Sequence, residues 1–457
     1  MRVLLLNPPA PEVKYNRDGR CQSEANAWLD TFPPATFASI GGSVREKHDL
    51  KLIDCIGASI TTSECLKEAR DFNPDYTILS TSTPTIDFDL QIAKSIKEQT
   101  NTKIIIYGEY VTVFSDEILK KNPHVDFIIR SEPETPIMSI LDGNYKVAGV
   151  SMRGWNGGLW NEPDLDKLPY PAYDLMPGYR FPLTGEKWMF VRSGRGCPYT
   201  CIYCVMPRLG GGKPRYHSPE YMIKQLRWLA NDLDIKLWMF WDEIATYDRE
   251  RMLKICEGIM AAGLHSKCKW FCTTRVDRFD EKLASKMYEA GCRMVSFGIE
   301  SGSQDILDRN KKGIRLEHSR NAVSAARKAG MRTIGHMIIG LPGENDDTVR
   351  ETIEFSKRLK LSFAQFYAAT PFPASEFYVM ALKNKWFQGD WDKVQQGDVS
   401  ISYPNFSKER MEYWRRKAYR EFYLRPFAIC EGFKMMSFRG MTRMPGYLVN
   451  FLSWMGK

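Results

Sequence analysis

No uninterrupted apolar stretch in this 457-residue chain approaches the roughly 20 residues that a bilayer-spanning helix needs. The opening run Met1 to Asn7 is too short for the apolar segment of a secretory signal, and no cleavage site follows it. Eleven cysteines, an odd and scattered set, do not form the framework of a small secreted disulfide protein. These absences lead to the expectation of a reducing, cytoplasmic setting. No G-x-G-x-x-G follows the first apolar run and no Walker loop occurs, so dinucleotide or triphosphate binding has no support. No recognised nucleic-acid module is present, and no nucleic-acid partner is expected. Disorder is excluded as well, since a hydrophobic fraction of 43% is ample for ordinary cores. The length allows two to four domains.

The stretch from Val191 to Pro207 is V-R-S-G-R-G-C-P-Y-T-C-I-Y-C-V-M-P. Cys197, Cys201 and Cys204 stand at spacings of four and three, behind Gly194 and Gly196, with Tyr203 just before the last. Glycine lets a loop turn tightly enough to bring three thiolates to one point. Thiolates are the soft ligands taken by iron–sulfur clusters and by zinc. A structural zinc site closes with four protein ligands, and His217 is the candidate fourth. Inert core cysteines are disfavoured, because Pro198, Tyr199 and Thr200 do not continue an apolar stripe.

Before that loop, short apolar runs alternate with helix-like segments. The opening R-V-L-L-L-N, Leu50–Ile53, Tyr76–Leu79, Lys103–Tyr107 and Val125–Ile129 are predicted strands; Ser63–Phe72, Leu90–Gln99 and Ser115–Lys121 are predicted helices. This order predicts an α/β, doubly wound parallel sheet over residues 1–150, whose ligands bind at the carboxyl ends of its strands. Those ends supply Asn7, Pro8, Thr81, Ser82, Gly108 and Glu132. An insert from Tyr15 to Pro34, with Trp28 inside it, is long for a βα loop and is either a lid or a surface excursion. The proline-dense stretch from Asn161 to Gly178 is an extended connector, within a linker spanning 151–186.

Past the cysteines, further strand patterns end in chemical groups. Lys236–Trp241 runs into Asp242 and Glu243, Lys269–Thr273 ends near Arg275, and Met294–Ile299 precedes Glu300 and Ser301. Thr333–Ile339 leads to Gly340, and Phe363–Tyr367 to Pro371. A partial (β/α)6 barrel over 187–380, open at its C-terminal face, fits this series. Singly these residues are weak signals: a carboxylate after a strand is commonly a helix cap, Arg275 has Asp277 as a local ion-pair partner, and His336 within an apolar strand fits a core position.

The cysteine loop resembles the hallmark of the radical S-adenosylmethionine (SAM) superfamily, C-x-x-x-C-x-x-C with an aromatic before the third cysteine. The resemblance implies a 4Fe-4S cluster on Cys197, Cys201 and Cys204, with one iron open. It implies Asp242 and Glu243 at the methionine amino group, Arg275 at its carboxylate, Glu300 with Ser301 or Ser303 at the ribose, and Gly340 beside adenine. Tyr203, Arg275 and Glu300 are the expected catalytic set. The first 150 residues resemble the cobalamin-binding domain of cobalamin-dependent radical SAM enzymes, the group of class B methylases and the anaerobic porphyrin-ester cyclase. That likeness implies a Rossmann-like domain with cobalamin contacts at Asn7, Pro8, Thr81, Ser82, Gly108 and Glu132. It departs from the D-x-H-x-x-G pattern, since Asp54 is followed by Cys55 and Ile56, so no histidine reaches cobalt; a degenerate domain that binds nothing is the alternative. The implied reaction is C-methylation through a 5′-deoxyadenosyl radical and methylcobalamin, with an external donor of flavodoxin or ferredoxin type. A non-methylating cyclase or rearrangement enzyme acting on a tetrapyrrole or lipid is the second reading, and a zinc-stabilised binding protein the third.

Residues 381–457 form a basic, helical extension that holds 14 Lys and Arg against 7 Asp and Glu, or +7 of the chain's +9. Ser407 to Leu424 is a predicted helix in which Trp414, Arg415, Arg416, Tyr419 and Tyr423 interleave. A solvated helix face is the ordinary explanation. The sharper one is weak contact with an anionic membrane surface, aided by the apolar Tyr447 to Met455, which would favour a lipid or hydrophobic polycyclic substrate.

Overall fold

A computed structural model describes residues 1–10, 15–18, 32–182, 184–387, 389 and 394–435. Trp28 with most of its insert, and the closing Tyr447 to Met455, lie outside the described residues.

The first sheet contains β1 (Arg2–Asn7), β2 (Asp49–Asp54), β3 (Tyr76–Ser80), β4 (Lys103–Tyr107), β5 (Phe127–Ile129), β6 (Val150–Met152) and β7 (Trp155–Asn156). Their spatial order is β2-β1-β3-β4-β5-β6-β7, and the first five pair in parallel. Continuous apolar runs make such strands because helices cover both faces; Val3, Leu4, Leu5 and Leu6 have no exposed surface. The chain winds one way from β1 to β2 and the other way to β3, so the crevice of this sheet opens between the carboxyl ends of β1 and β3. The antiparallel β6 and β7 extend the sheet past residue 150, so the expected boundary falls inside it.

The connector is not a solvated tether. Its Tyr173, Tyr179 and Phe181 are buried, the Tyr173 hydroxyl donates to the Phe190 carbonyl at 2.9 Å, and the Tyr179 hydroxyl donates to Asp54. The chain then forms β8 (Trp188–Val191), an antiparallel pair of β9 (Gly194–Arg195) and β10 (Arg215–Tyr216), and β11 (Leu237–Phe240), β12 (Lys269–Thr274), β13 (Cys292–Glu300), β14 (Arg332–Ile339) and β15 (Phe363–Ala368). The order β15-β14-β13-β12-β11-β8 is parallel throughout. This is the expected partial six-stranded barrel, with β8 and β15 as its free edges.

The edge of β15 leaves backbone groups to satisfy. The helix Lys408–Tyr423 answers this with tyrosine hydroxyls: Tyr419 accepts from Phe366 N–H at 3.2 Å, while Tyr423 accepts from Ala364 N–H at 3.2 Å and donates to its carbonyl at 2.8 Å. The interleaved aromatics therefore pack on the barrel edge. Trp414 is buried and donates to Asp346 at 2.6 Å, an acid that also pairs with Arg410 at 2.7 Å. Arg416 pairs with Glu412 and Lys417 with Glu421, each at 3.8 Å, and Arg415 is buried. Among the described residues no helix is long and apolar enough to cross a membrane.

Candidate active site

Cys197, Cys201 and Cys204 lie on the loop between β9 and the short helix Met206–Leu209; Cys201 is buried and the other two half-buried. Gly196 has φ +91°, and a Cβ there would come within 2.4 Å of the Lys213 carbonyl oxygen, so this turn requires glycine. The loop is pinned at Ile202, whose N–H donates to Asn310 O and whose carbonyl accepts from Phe377 N–H. His217, the candidate fourth zinc ligand, is committed elsewhere: its Nδ1 lies 3.1 Å from Asp166 and its ring stacks on Tyr221 at 4.0 Å. Burial drops its pKa to about 4. Among the described residues no three His, Cys, Asp or Glu side chains converge on a point that would hold a single metal ion. A four-iron cluster spreads its cysteines over separate irons, and three thiols on one loop suit that group. Tyr203 is held beside Cys201, and burial pushes its hydroxyl well above the usual phenol range.

The acidic pair after β11 divides. Asp242 turns inward, where its two oxygens accept from Ser193 N–H at 2.7 Å and the Ser193 hydroxyl at 2.5 Å. Burial raises its pKa. Asp242 thereby fixes the loop leaving β8. Glu243 stands at the cysteine loop and accepts from Gly196 N–H at 3.1 Å. Arg275 is held by neighbours of the cysteine loop. Its guanidinium forks onto Asp277 at 2.9 and 3.2 Å, donates to Lys312 O and lies 3.5 Å over the Tyr199 ring. Asp277 thus already holds the fork meant for a carboxylate, and Arg275 braces the cysteine loop through Tyr199.

Glu300 sits at a bulge of β13 with φ +66°, and its carboxylate meets Lys312 Nζ at 2.6 Å. Lys312 was not foreseen; the sequence gives it no more than a place in a K-K-G turn. The Ser301 hydroxyl lies 3.1 Å from that of Thr352 and accepts from Ser303 N–H. Gly340 has φ +97°, its N–H donates to Glu344 Oε2 at 2.5 Å, and its carbonyl accepts from the Tyr403 hydroxyl at 2.6 Å.

Glu344 is buried, with Leu341 N–H as a second donor to Oε2 and no partner at Oε1 among the described residues. Burial raises its pKa to about 8, so it is mostly protonated at neutral pH. The native state holds this proton more tightly than the unfolded chain, so stability falls as pH rises from about 4.3 toward 8 and levels off above. Glu344→Gln removes that slope. Thermal melts should show the variant gaining on the parent protein by several degrees between about pH 5 and pH 8.5. An equal difference at both values contradicts the assignment.

The carboxyl edges of the two sheets face each other across the cysteine loop. Arg195, two residues before Cys197, pairs with Glu134 at 2.6 Å and Glu132 at 3.4 Å, both just beyond β5. Arg215 reaches Glu132 at 2.6 Å, and the Ser131 hydroxyl donates to Leu209 O. Glu132 also accepts from Glu162 N–H, so both its oxygens take part in joining the sheets. The other first-sheet positions gather as expected but are covered. The Arg17 guanidinium fills the crevice between β1 and β3, donating to the carbonyls of Pro8 and Pro9 and pairing with buried Asp89 at 2.7 Å, near Asn7. Thr81 donates to Tyr107 O, and the hydroxyls of Ser82 and Thr85 meet at 2.7 Å. Gly108, at φ +147°, has no room for a Cβ against Thr81 O. Hydroxyl and amide groups at this edge suit the polar rim of a corrinoid in kind. Ile56 is buried in the turn capped by Asp54 and offers cobalt no ligand.

The Radical SAM superfamily profile matches residues 191–356, and the B12 binding domain profile matches residues 29–141. An uncharacterized methyltransferase of Pyrococcus horikoshii is 33% identical over 93% of this chain and 93% of its own length. The anaerobic magnesium-protoporphyrin IX monomethyl ester cyclase of Cereibacter sphaeroides is 23% identical over 83% of this chain and 63% of its own. Among solved structures, the radical S-adenosylmethionine methyltransferase TsrM of Kitasatospora setae, with cobalamin and a 4Fe-4S cluster bound, superposes with a TM-score of 0.67 at 15% identity. That match covers 84% of this chain and 74% of the other, and it speaks for the fold.

Proposed function

We propose that the reaction is methyl transfer to carbon, and the premise is the family: this chain belongs to the radical SAM superfamily and carries a B12 binding domain ahead of the barrel. The observation that carries the reading is the facing of the two carboxyl edges, tied by Arg195 and Glu134 at the cysteine loop. Bound together, a 4Fe-4S cluster, SAM and cobalamin would supply a carbon-centred radical and a transferable methyl group. Cys197, Cys201 and Cys204 would hold the cluster. Glu243, at the Gly196 N–H, is the better candidate than Asp242 for the methionine amino group. Glu300 with Lys312 would meet the ribose and Ser301 would support it, while Gly340 would admit adenine edge-on. Tyr203 would close the cluster side of the pocket against water. Thr81, Ser82 and Gly108 remain the candidate corrinoid contacts, with Arg17 beneath them. An external one-electron donor of flavodoxin or ferredoxin type is part of the proposal. The cyclase relative favours a second reading, ring closure without methylation. Product mass separates the two, since methylation adds one methyl group per turnover and cyclisation adds none.

With Ile56 where a histidine would stand, the cobalt(II) form bound to this chain should show no protein nitrogen splitting in its electron paramagnetic resonance spectrum. A nitrogen triplet that persists with free imidazole excluded contradicts this, as does failure to bind cobalamin at all. Contact with an anionic membrane surface draws no support from the helix Lys408–Tyr423, since Arg410, Arg416 and Lys417 pair with acids of the protein. A lipid or hydrophobic polycyclic substrate, met in the cytoplasm, is the finer part of the proposal.

A further inference from the structure

Of the arginines Arg17, Arg192, Arg195 and Arg215, which stand where the two carboxyl edges face each other, three are closely paired within the protein. Arg17 meets Asp89 at 2.7 Å, Arg195 meets Glu134 at 2.6 Å and Arg215 meets Glu132 at 2.6 Å. Arg192, the residue after β8, is the exception. Its Nε is buried without a hydrogen-bond partner, and neither terminal nitrogen has one among the described residues. Its ion-pair partner there is Asp18, whose Oδ1 lies 3.9 Å away, too far for a hydrogen bond.

Asp18 is held by other groups. Its two oxygens accept from the Thr36 N–H at 2.8 Å and the Thr36 hydroxyl at 2.6 Å. Thr36 lies in the first turn of the helix Ala35–Arg45, whose N-cap residue, Pro34, gives no side-chain cap. Asp18 therefore caps this helix from a distance, at the end where the helix dipole favours a negative charge. Arg192 gains only a distant charge from it. The Arg192 side chain keeps 18% of its surface exposed. A guanidinium is a donor at every nitrogen, and taking it largely out of water without acceptors costs free energy that the fold does not recover. The backbone beneath it is fixed: Trp241 N–H donates to Val191 O at 2.8 Å, and Ser193 is held by Asp242 and by Arg251 at 2.7 Å.

We infer that Arg192 is a specificity residue, whose guanidinium holds an oxyanion of the substrate, a carboxylate or a phosphate, between the barrel and the first sheet. The inference rests on the radical SAM reading, which makes this edge the place where a substrate meets the cysteine loop. The planar fork gives such a group two parallel hydrogen bonds and matches its charge. A neutral carbonyl would leave that charge unmatched. The substrate is accordingly acidic, a lipid or polycycle that carries a carboxylate or phosphate.

The test is equilibrium binding to the full, anaerobically reconstituted chain, with probes paired by shape. Octanoate is set against octanamide, 2-naphthoate against 2-naphthamide, and 2-naphthyl phosphate against 2-naphthol. In at least one pair the oxyanion should bind about tenfold or more tighter than its neutral counterpart. Which pair responds distinguishes carboxylate from phosphate. Arg192→Met should abolish the preference, and Arg192→Lys, which keeps the charge without the fork, should keep part of it. In a buffer without carboxylate or phosphate, Arg192→Met should melt within about 2 °C of the parent protein or above it, since no hydrogen bond is lost. Its cobalamin affinity should match that of the parent. No preference in any pair, or a preference that survives Arg192→Met, overturns the inference. A melting point lowered by about 5 °C or more also overturns it, by making Arg192 a structural partner of Asp18. Cobalamin binding weakened about tenfold does so too, by assigning the guanidinium to the corrinoid. Iron content and SAM cleavage of the unsubstituted protein are measured in the same preparation. If those are missing, the family reading has failed; if they are present without oxyanion preference, the assignment of Arg192 has.

Discussion

Replacing Cys197, Cys201 and Cys204 together by alanine should strip the reconstituted chain of about four irons and abolish its SAM cleavage. The fold should survive. The loop is held by contacts that do not pass through sulfur: Gly196 to Glu243, Ile202 to Asn310 and Phe377, and Tyr199 under Arg275. Iron analysis, visible absorption and a thermal melt on the same sample check both halves. Retention of about four irons in the triple variant would remove the cysteine loop as the cluster site. Loss of the folded state along with the iron would instead make the thiols structural, against the expectation drawn from those contacts.

The second large effect lies between the sheets. Glu134→Ala leaves Arg195 buried without its short, two-pronged partner, and breaking a buried pair in this way costs about 3–5 kcal/mol. Because Arg195 immediately precedes Gly196, iron retention should fall with stability. Burial alone would push the Glu134 carboxyl up, but Arg195 outweighs it and holds the pKa at about 2. A depressed carboxylate contributes stability that is complete above its unfolded pKa of about 4.3 and is lost as pH falls from there toward 2. Glu134→Gln should therefore flatten the acid limb of the stability profile as well as lower its plateau. Denaturant unfolding at about pH 7 and pH 3 measures both. A variant within about 0.5 kcal/mol of the parent protein at neutral pH would show that the tie is dispensable.

Much of this arrangement is legible in the sequence because it depends on periodicity and spacing. Apolar runs locate the strands of both sheets, and the order of chemical groups at their ends survives into the barrel. What the sequence does not reveal is which way a side chain turns once the backbone is fixed. Asp242 and Glu243 are adjacent carboxylates, and only the position of Ser193 decides that the first is spent on structure while the second meets the loop. Arg275 and Asp277 are close enough in the chain to pair locally, and they do. Glu132 sits at a strand end like the other first-sheet positions, but Arg195 and Arg215 arrive from far along the chain to claim it. Arg17 was hidden in an insert of no recognisable pattern. The interleaved basic and aromatic helix admits contact with an anionic membrane surface in the sequence, whereas its tyrosines finish the open edge of β15.

Methyl transfer is tested most directly without knowing the substrate. The reconstituted chain, loaded with cobalamin and reduced, is incubated with SAM carrying a deuterated methyl group, and the corrinoid is then recovered for mass spectrometry. The proposed function predicts the label on the corrinoid in the intact protein. An unlabelled corrinoid, in a preparation that holds its iron and cleaves SAM, would contradict methyl transfer and leave the non-methylating reaction in its place.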